Sequence, residues 1–200
     1  MSRIAYVNGR YVPHRLAEVA MEDRGYQFAD GVYEVVVFFN RKMLDEELHL
    51  KRLRHSLDAL KIKAPMHEDA LKLVIRELIA RNNYRDGYIY LQITRGVAPR
   101  NHPFPNVRPV LTMSVMRIKQ PTKEEVQNGV KVITYPDIRW GRCDVKSISL
   151  LPNVLAKEEA VKHKAREAIL VNGEGMVTEA SHSNAYIVKD GILITHAADN

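Results

Sequence analysis

Residues 142–151 have the sequence RCDVKSISLL, in which a lysine alternates with apolar side chains. In a β-strand, successive side chains point to opposite faces, so Lys146 would share its face with Ile148 and Leu150. Burying an unpaired ammonium is costly, which favours the neutral form of a lysine on an apolar face. A neutral amine is the form that attacks a carbonyl to make a Schiff base. Alternation therefore indicates either a reactive amine or a lysine whose amine extends past the strand edge into solvent.

A carboxylate ends another β-prone run, MVTEASHSN at residues 176–184. Glu179 is followed by small polar residues whose hydroxyls and amides suit an oxyanion. The alternative is an ordinary exposed glutamate at the end of a strand.

A loop stiffened by prolines, TRGVAPRNHPFP at residues 94–105, carries Arg100 and His102 two positions apart. Cationic donors held in this way bind a carboxylate well, although a solvated loop has the same composition. Taken alone, Arg52 is interpreted as a solvent-facing residue of a helix, and Tyr33 as a residue that packs within a strand.

The order of elements along the chain predicts an α+β protein. Hairpins are predicted in IAYVNGRYV (4–12), joined by Asn-Gly, and in GVYEVVVFFNRKML (31–44). Leucines at 50, 53, 57 and 60, and apolar residues at 71, 74, 75, 78 and 79, have the spacing of two buried helical stripes. Further strands are predicted in YIYLQITRG, VLTMSVMRI, VKVITY, EAILV, NAYIV and ILITH, and a helix over about 153–165.

A break in the pattern at Lys119–Thr122, with Pro121, predicts a domain boundary. We expect a small α+β N-terminal domain over 1–120 and, over 121–200, the N-terminal part of a second domain. The second domain has few helices to cover its strands, so we expect it to be incomplete.

The composition is that of an ordinary globular protein, with 46% apolar and 27% charged residues. The net charge of +6 comes from basic residues scattered among acidic ones, which does not favour nucleic-acid binding. No apolar run approaches the roughly 20 residues of a membrane span, and no secretory signal is evident. With a single cysteine the chain forms no internal disulfide. We expect a cytoplasmic protein that binds small molecules, without nucleic-acid or membrane partners and without a metal site.

Together these segments resemble the fold-type IV (class IV) enzymes that depend on pyridoxal 5′-phosphate (PLP), and within them the D-amino-acid transaminases. RCDVKSISLL and TEASHSN are typical of the fold type, and the Arg-x-His loop is typical of the D-amino-acid enzymes. The matching stretches are MEDRGYQFADGVYEVV (21–36), LHLKRL (48–53), GYIYLQITRGVAPRNHPFP (87–105), DIRWGRCDVKSISLLPNVLAK (137–157) and EAILVNGEGMVTEASHSNAYIVKDGILITH (167–196).

The resemblance implies a two-lobed fold and a transaminase that exchanges the amino group between D-amino acids, such as D-alanine, and 2-oxo acids, such as 2-oxoglutarate. It implies that Lys146 is the Schiff-base lysine and proton shuttle. It further implies that the cofactor is held by Glu179 at the pyridine nitrogen, Arg52 at the phosphate, Arg139 near the phenolate oxygen, and Ser181, Ser183 and Asn184 near the ring or phosphate. The substrate α-carboxylate would be bound by Tyr33, Arg100 and His102. The family is homodimeric, and the Arg-x-His loop reaches the site of the neighbouring subunit.

The sequence departs from the family at three positions. Ala180 replaces a common glycine, His182 a common serine and Pro152 a common glycine, and family members continue well past residue 200. Two alternatives share the fold type, a branched-chain aminotransferase and an aminodeoxychorismate lyase, neither of which is expected to have the Arg-x-His loop. From another class, the chain could be a PLP-free dimerising or binding module.

Overall fold

The computed structural model describes residues 3–196, which form two compact units. The first unit comprises the residues up to Lys119 together with Val145–Ile148. The second comprises Gln120–Asp144 and the residues from Ser149 onward. The segment 145–148 thus packs with the first unit although it lies beyond the boundary predicted at residue 120. The division into domains 1–120 and 121–200 stays a prediction.

An antiparallel sheet of six strands, in the order β2-β1-β6-β5-β3-β4, organises the first unit. Its strands are β1 (Ile4–Val7), β2 (Arg10–Pro13), β3 (Gly31–Phe39), β4 (Lys42–Met43), β5 (Gly87–Thr94) and β6 (Val110–Met116). Both predicted hairpins are present. Their tight turns have positive φ at both central residues, Asn8 and Gly9 in one and Asn40 and Arg41 in the other. This geometry matches the right-handed twist of the strands that they join.

Helices cover one face of this sheet and form the core with it. They are α2 (Glu46–Ala59) and α3 (Glu68–Asn82), while the short helix α1 (Arg24–Phe28) precedes β3. Both predicted apolar stripes are confirmed: each residue is buried except Leu60 and Val74, which are half-buried. On β3, alternate residues Val32, Glu34, Val36 and Phe38 face the core, so a glutamate lies among apolar side chains.

The second unit is built on a β-α-β crossover. Its elements are α4 (Lys123–Asn128), β7 (Val132–Pro136), α5 (Leu151–Lys162), β8 (Glu167–Val171), β9 (Val177–Ala180) and the hairpin β10 (Tyr186–Lys189) with β11 (Ile192–Thr195). Strand β8 pairs in parallel with β7 and antiparallel with β9. The helix α5 packs on β8 through small residues, Ala156 and Ala160 against Ala168 and Leu170. This helix begins and ends a few residues earlier than predicted, because Pro152 is accommodated in its first turn.

The α+β prediction is confirmed, but residues 142–151 do not form a strand. One isolated bridge pairs Ser147 with Val32, and α5 begins at Leu151. Alternation holds over the short segment 145–148, where Val145 and Ser147 are buried while Lys146 and Ile148 are half-buried. The expectation that Lys146 lies on the buried face is therefore wrong. Among residues 3–196, no helix is long and apolar enough to cross a membrane.

Candidate active site

The backbone of Lys146 is fixed from two sides. The N–H of Tyr33 on β3 donates to the Lys146 carbonyl at 3.0 Å, and the Lys146 N–H donates to the Ser56 hydroxyl at 3.1 Å. Ser56 is fully buried in α2, so its hydroxyl has a defined position. These two hydrogen bonds set the direction in which the lysine side chain leaves the backbone.

The amine of Lys146 lies on an aromatic ring. Its Nζ is 4.5 Å from the centroid of the Tyr33 ring, and within the described residues no carboxylate forms an ion pair with it. The ring of Tyr33 stacks on Tyr90, with centroids 5.7 Å apart and an angle of 27° between planes. Burial raises the pKa of Tyr90 to about 12, with a smaller contribution from the charge of Tyr33. Among residues 3–196, the lysine amine therefore lies against the stacked rings of Tyr33 and Tyr90 and not against a carboxylate.

Arg52 is held by a buried carboxylate. Glu34 is 1% exposed and accepts two hydrogen bonds from Arg52, Nε to Oε1 at 2.6 Å and Nη2 to Oε2 at 2.8 Å. The Nδ1 of His49 lies 2.9 Å from the same Oε2. Burial by itself raises the pKa of Glu34, but the hydrogen bonds and charges of Arg52 and His49 outweigh it and hold that pKa below its usual value. Because the Arg52 side chain is still 47% exposed, it is oriented without being covered.

Arg139 and Glu179 meet in the second unit. Nη1 of Arg139 donates to Glu179, while Nε and Nη2 donate to the two oxygens of Asp137 at 3.0 and 2.8 Å. The hydroxyl of Thr178 also donates to Asp137, at 2.6 Å. The Arg139 hydrogen bonds lower the pKa of Asp137 to about 2, against the opposing effect of burial and with help from Thr178. Arg139 therefore joins the carboxylates of Asp137 and Glu179 through hydrogen bonds to both.

The hydroxyls of Ser181 and Ser183 converge on Glu167 at the start of β8. Both donate to this carboxylate, Ser183 at 2.9 Å, and His182 forms an ion pair with it. Asn184 donates to the Tyr186 hydroxyl at 3.4 Å. Burial by itself raises the pKa of Glu167, but the serine hydrogen bonds, the Ala168 N–H and His182 hold it below its usual value. The turn after β9 is thus organised by one buried acid.

Arg100 and His102 are brought together on the ring of Phe28. The guanidinium carbon of Arg100 is 4.5 Å from the ring centroid, and the His102 ring lies 5.3 Å away. Both side chains are exposed. Tyr33 contacts Lys146 instead, so the three residues predicted to bind substrate do not form one cluster within the first unit.

The predicted site residues are divided between the two units. Lys146, Tyr33, Arg52, Arg100 and His102 belong to the first, and Arg139, Glu179, Ser181, Ser183 and Asn184 to the second. Sequence reasoning missed the acids that position them: Glu34 and Glu167, which are buried, and Asp137, which is half-buried. For Glu34 a signal existed, since it is in register with Val32 and Val36 on the apolar face of β3.

A sequence model of the amino-transferase class IV family matches residues 31–200. The chain belongs to the class IV aminotransferases. This aminotransferase is 43% identical over 197 residues to a D-alanine aminotransferase of Staphylococcus haemolyticus, covering 98% of the chain and 69% of the relative. It is 46% identical over 198 residues to a D-alanine aminotransferase of Listeria monocytogenes, covering 97% and 68%.

Solved structures of branched-chain amino acid aminotransferases have the same fold as this class IV aminotransferase. The Escherichia coli enzyme matches with a TM-score of 0.86 at 20% identity, covering 98% of this chain and 68% of its own. The T.th. enzyme, solved with pyridoxamine 5′-phosphate, matches with a TM-score of 0.86 at 25% identity, covering 99% and 69%. The fold-type prediction is confirmed.

Proposed function

We propose that this class IV aminotransferase uses PLP to exchange the amino group between D-amino acids, such as D-alanine, and 2-oxo acids, such as 2-oxoglutarate. The geometry of Lys146 is the main support: an amine with a fixed backbone, lying on an aromatic ring. The choice of D-amino acids is supported by relatives at 43% and 46% identity that are named D-alanine aminotransferases. The branched-chain aminotransferases are only 20% and 25% identical to this chain, so their names are a weaker guide to its substrate.

The donor set fits PLP. Lys146 supplies an amine for the aldehyde, Arg52 an oriented and accessible cation for the phosphate, and Glu179 a carboxylate for the ring nitrogen. Bound PLP supplies an electron-accepting ring that stabilises the charge left when the Cα–H bond of an amino acid breaks. Ser181, Ser183 and Asn184 are proposed to lie near the ring or phosphate and Arg139 near the phenolate oxygen.

The chain's own residues are proposed to bind the substrate and move one proton. Arg100 and His102, with Tyr33, bind the α-carboxylate through charged hydrogen bonds. In the half-reaction that consumes an amino acid, the Nζ of Lys146 would take the proton from Cα. In the half-reaction that forms one, it would donate a proton to Cα from the same side, which determines the enantiomer that reacts. Glu179 would accept a hydrogen bond from the ring nitrogen, and Arg139, which donates to this carboxylate, would hold it in position.

Lys146→Ala tests the cofactor assignment. Purified protein with added PLP should show the visible band of a lysine-bound cofactor, and the variant should lose it. Lys162→Ala, which removes an exposed lysine of α5, is the matched control and should keep the band. Wild-type protein without any band would instead favour a PLP-free module.

Substrate preference is tested by initial rates with pairs of enantiomers. D-Alanine with 2-oxoglutarate should be turned over far faster than L-leucine or L-alanine. The opposite preference would place this chain with the branched-chain enzymes.

We also propose a cytoplasmic homodimer in which Arg100 and His102 of one subunit complete the substrate site of the other. The contacts of these side chains with Phe28, rather than with Lys146, support this arrangement. Coexpression of Lys146→Ala with Arg100→Ala should restore activity, because a mixed dimer keeps one site with both residues. Random pairing predicts about a quarter of the wild-type activity at low substrate concentration. If the coexpressed variants are no more active than each variant expressed alone, the two subunits do not share a substrate site.

A further inference from the structure

The loop that carries Arg100 and His102 is held from below by a buried arginine. Arg24, the first residue of α1, is 4% exposed. Its Nη1 donates to the carbonyl oxygen of Asn101, and its Nη2 donates to that of His102 at 3.2 Å. One guanidinium therefore fixes two consecutive peptide groups of the Arg-x-His segment.

Arg24 is itself anchored by a shared carboxylate. Its Nε donates to Asp30 at 2.8 Å, and Arg95 donates to the same oxygen at 2.7 Å. Arg95 is fixed in turn by the carbonyl oxygens of Leu60 and Lys61, at 2.8 and 3.1 Å. Burial by itself raises the pKa of Asp30, but Arg95 and Arg24 outweigh it and hold that pKa below its usual value. Two guanidiniums therefore share one carboxylate, and a second buried carboxylate, Asp23, lies next to Arg24 in the chain.

Phe28, at the other end of α1, positions the side chains of the loop. Its ring centroid is 4.8 Å from the guanidinium carbon of Arg24, 4.5 Å from that of Arg100 and 5.3 Å from the His102 ring centroid. The Nη1 of Arg100 also donates to the carbonyl of Gln27 at 3.5 Å. The helix α1 thus holds the backbone of the loop through Arg24, and it holds the side chains of Arg100 and His102 through Phe28.

We propose that Arg24 and Phe28 are positioning residues for the binding of the substrate carboxylate. This inference rests on the proposed function of Arg100 and His102. Exposed arginine and histidine side chains lose conformational entropy when they bind, and a loop already held in place has less to lose.

The variant Arg24→Lys keeps the charge but lacks the planar fork that reaches Asp30 and two carbonyls together. We expect the KM for D-alanine to rise about tenfold with kcat changed less than about twofold, since only the placement of the donors is lost. Phe28→Leu should raise KM in the same way. The visible cofactor band should be unchanged in both variants.

Ile75→Val is the control for general destabilisation, because Ile75 is a core residue of α3 that is 1% exposed and lies outside the loop and its anchors. It should lower the melting temperature and leave KM unchanged. Without substrate, amide hydrogen exchange across residues 97–104 should accelerate in Arg24→Lys and not in Ile75→Val.

Two results would overturn the proposal: an unchanged KM in Arg24→Lys, or an equal rise in Ile75→Val, which would show that Arg24 acts only through general stability. Arg100→Ala separates this inference from the proposed function. If Arg100→Ala leaves KM unchanged, the substrate role of the loop is wrong; if it raises KM while Arg24→Lys does not, only the positioning role is wrong.

Discussion

Replacing Glu34 by glutamine removes the negative charge that holds Arg52 and His49. The side-chain oxygen of the glutamine replaces one carboxylate oxygen. Its NH2 group takes the place of Oε2 and cannot accept the hydrogen bonds that Arg52 and His49 make there. Two charge-assisted hydrogen bonds at 2.8 and 2.9 Å are thereby lost. The prediction is that Glu34→Gln destabilises the protein at neutral pH.

The magnitude follows from burial. A hydrogen bond to a charged group contributes roughly 1.5–3 kcal/mol, and removing one partner of a fully buried pair costs more. Here Glu34 is buried but Arg52 is 47% exposed, so water replaces part of what the guanidinium loses. We therefore expect a loss of about 2 kcal/mol in the free energy of unfolding, which lowers the urea midpoint by about 1 M.

The pH dependence has a definite sign. Since the pKa of Glu34 is lowered in the folded protein, its stabilisation is complete above the unfolded pKa of about 4.3 and is lost as pH falls through the folded value. The wild-type and Glu34→Gln midpoints should therefore differ at neutral pH and converge below about pH 4.

Urea unfolding followed by far-ultraviolet circular dichroism measures both effects. Glu77→Gln is the matched control, because Glu77 pairs with Arg81 at 2.7 Å but the two side chains are 49% and 48% exposed. It should cost less than about 0.5 kcal/mol. Equal midpoints for Glu34→Gln and wild type at neutral pH, or a difference that persists unchanged in acid, would refute the reasoning.

Two further predictions concern the second unit and the loop. Asp137, with a pKa of about 2, stabilises the folded protein at pH values above its unfolded pKa. This stabilisation is lost as pH falls toward about 2. Asp137→Asn should therefore lower the melting temperature at neutral pH. If the difference in melting temperature from wild type does not become smaller in acid, the ion pair with Arg139 is not its cause. Gly96 has φ +121°, and a Cβ there would lie 2.2 Å from the Arg108 carbonyl oxygen, so Gly96→Ala should cost at least about 2 kcal/mol. Thermal unfolding checks this against Gly141→Ala, where a Cβ meets nothing within 4 Å.

The elements that follow local rules could be predicted from the sequence. The hairpins at Asn8-Gly9 and Asn40-Arg41 and both helical stripes depend on residues a few positions apart, and the structure has them all. The segment around Lys146 could not be predicted in the same way, because the strand that it bridges to is β3, more than a hundred residues earlier in the chain.

The groups that position the site are pairs between distant segments. Arg24 reaches a carbonyl 77 residues away, and Arg139 reaches a carboxylate 40 residues away. Neither pairing follows from composition or periodicity. The family resemblance selected Arg52 and Arg139 as cofactor ligands but carried no information on Glu34 or Asp137, the acids that hold them.

The buried hydroxyl of Ser56 has a consequence for motion. Ser56 and Arg52 lie one turn apart on α2, separated by about 6 Å along the helix axis. Through Ser56 this helix holds the backbone of Lys146, and through Arg52 it carries the proposed phosphate ligand. A rigid-body shift of α2 would move the lysine backbone and the guanidinium together. The distance between the lysine backbone and the proposed phosphate ligand is therefore preserved when α2 shifts as a rigid body.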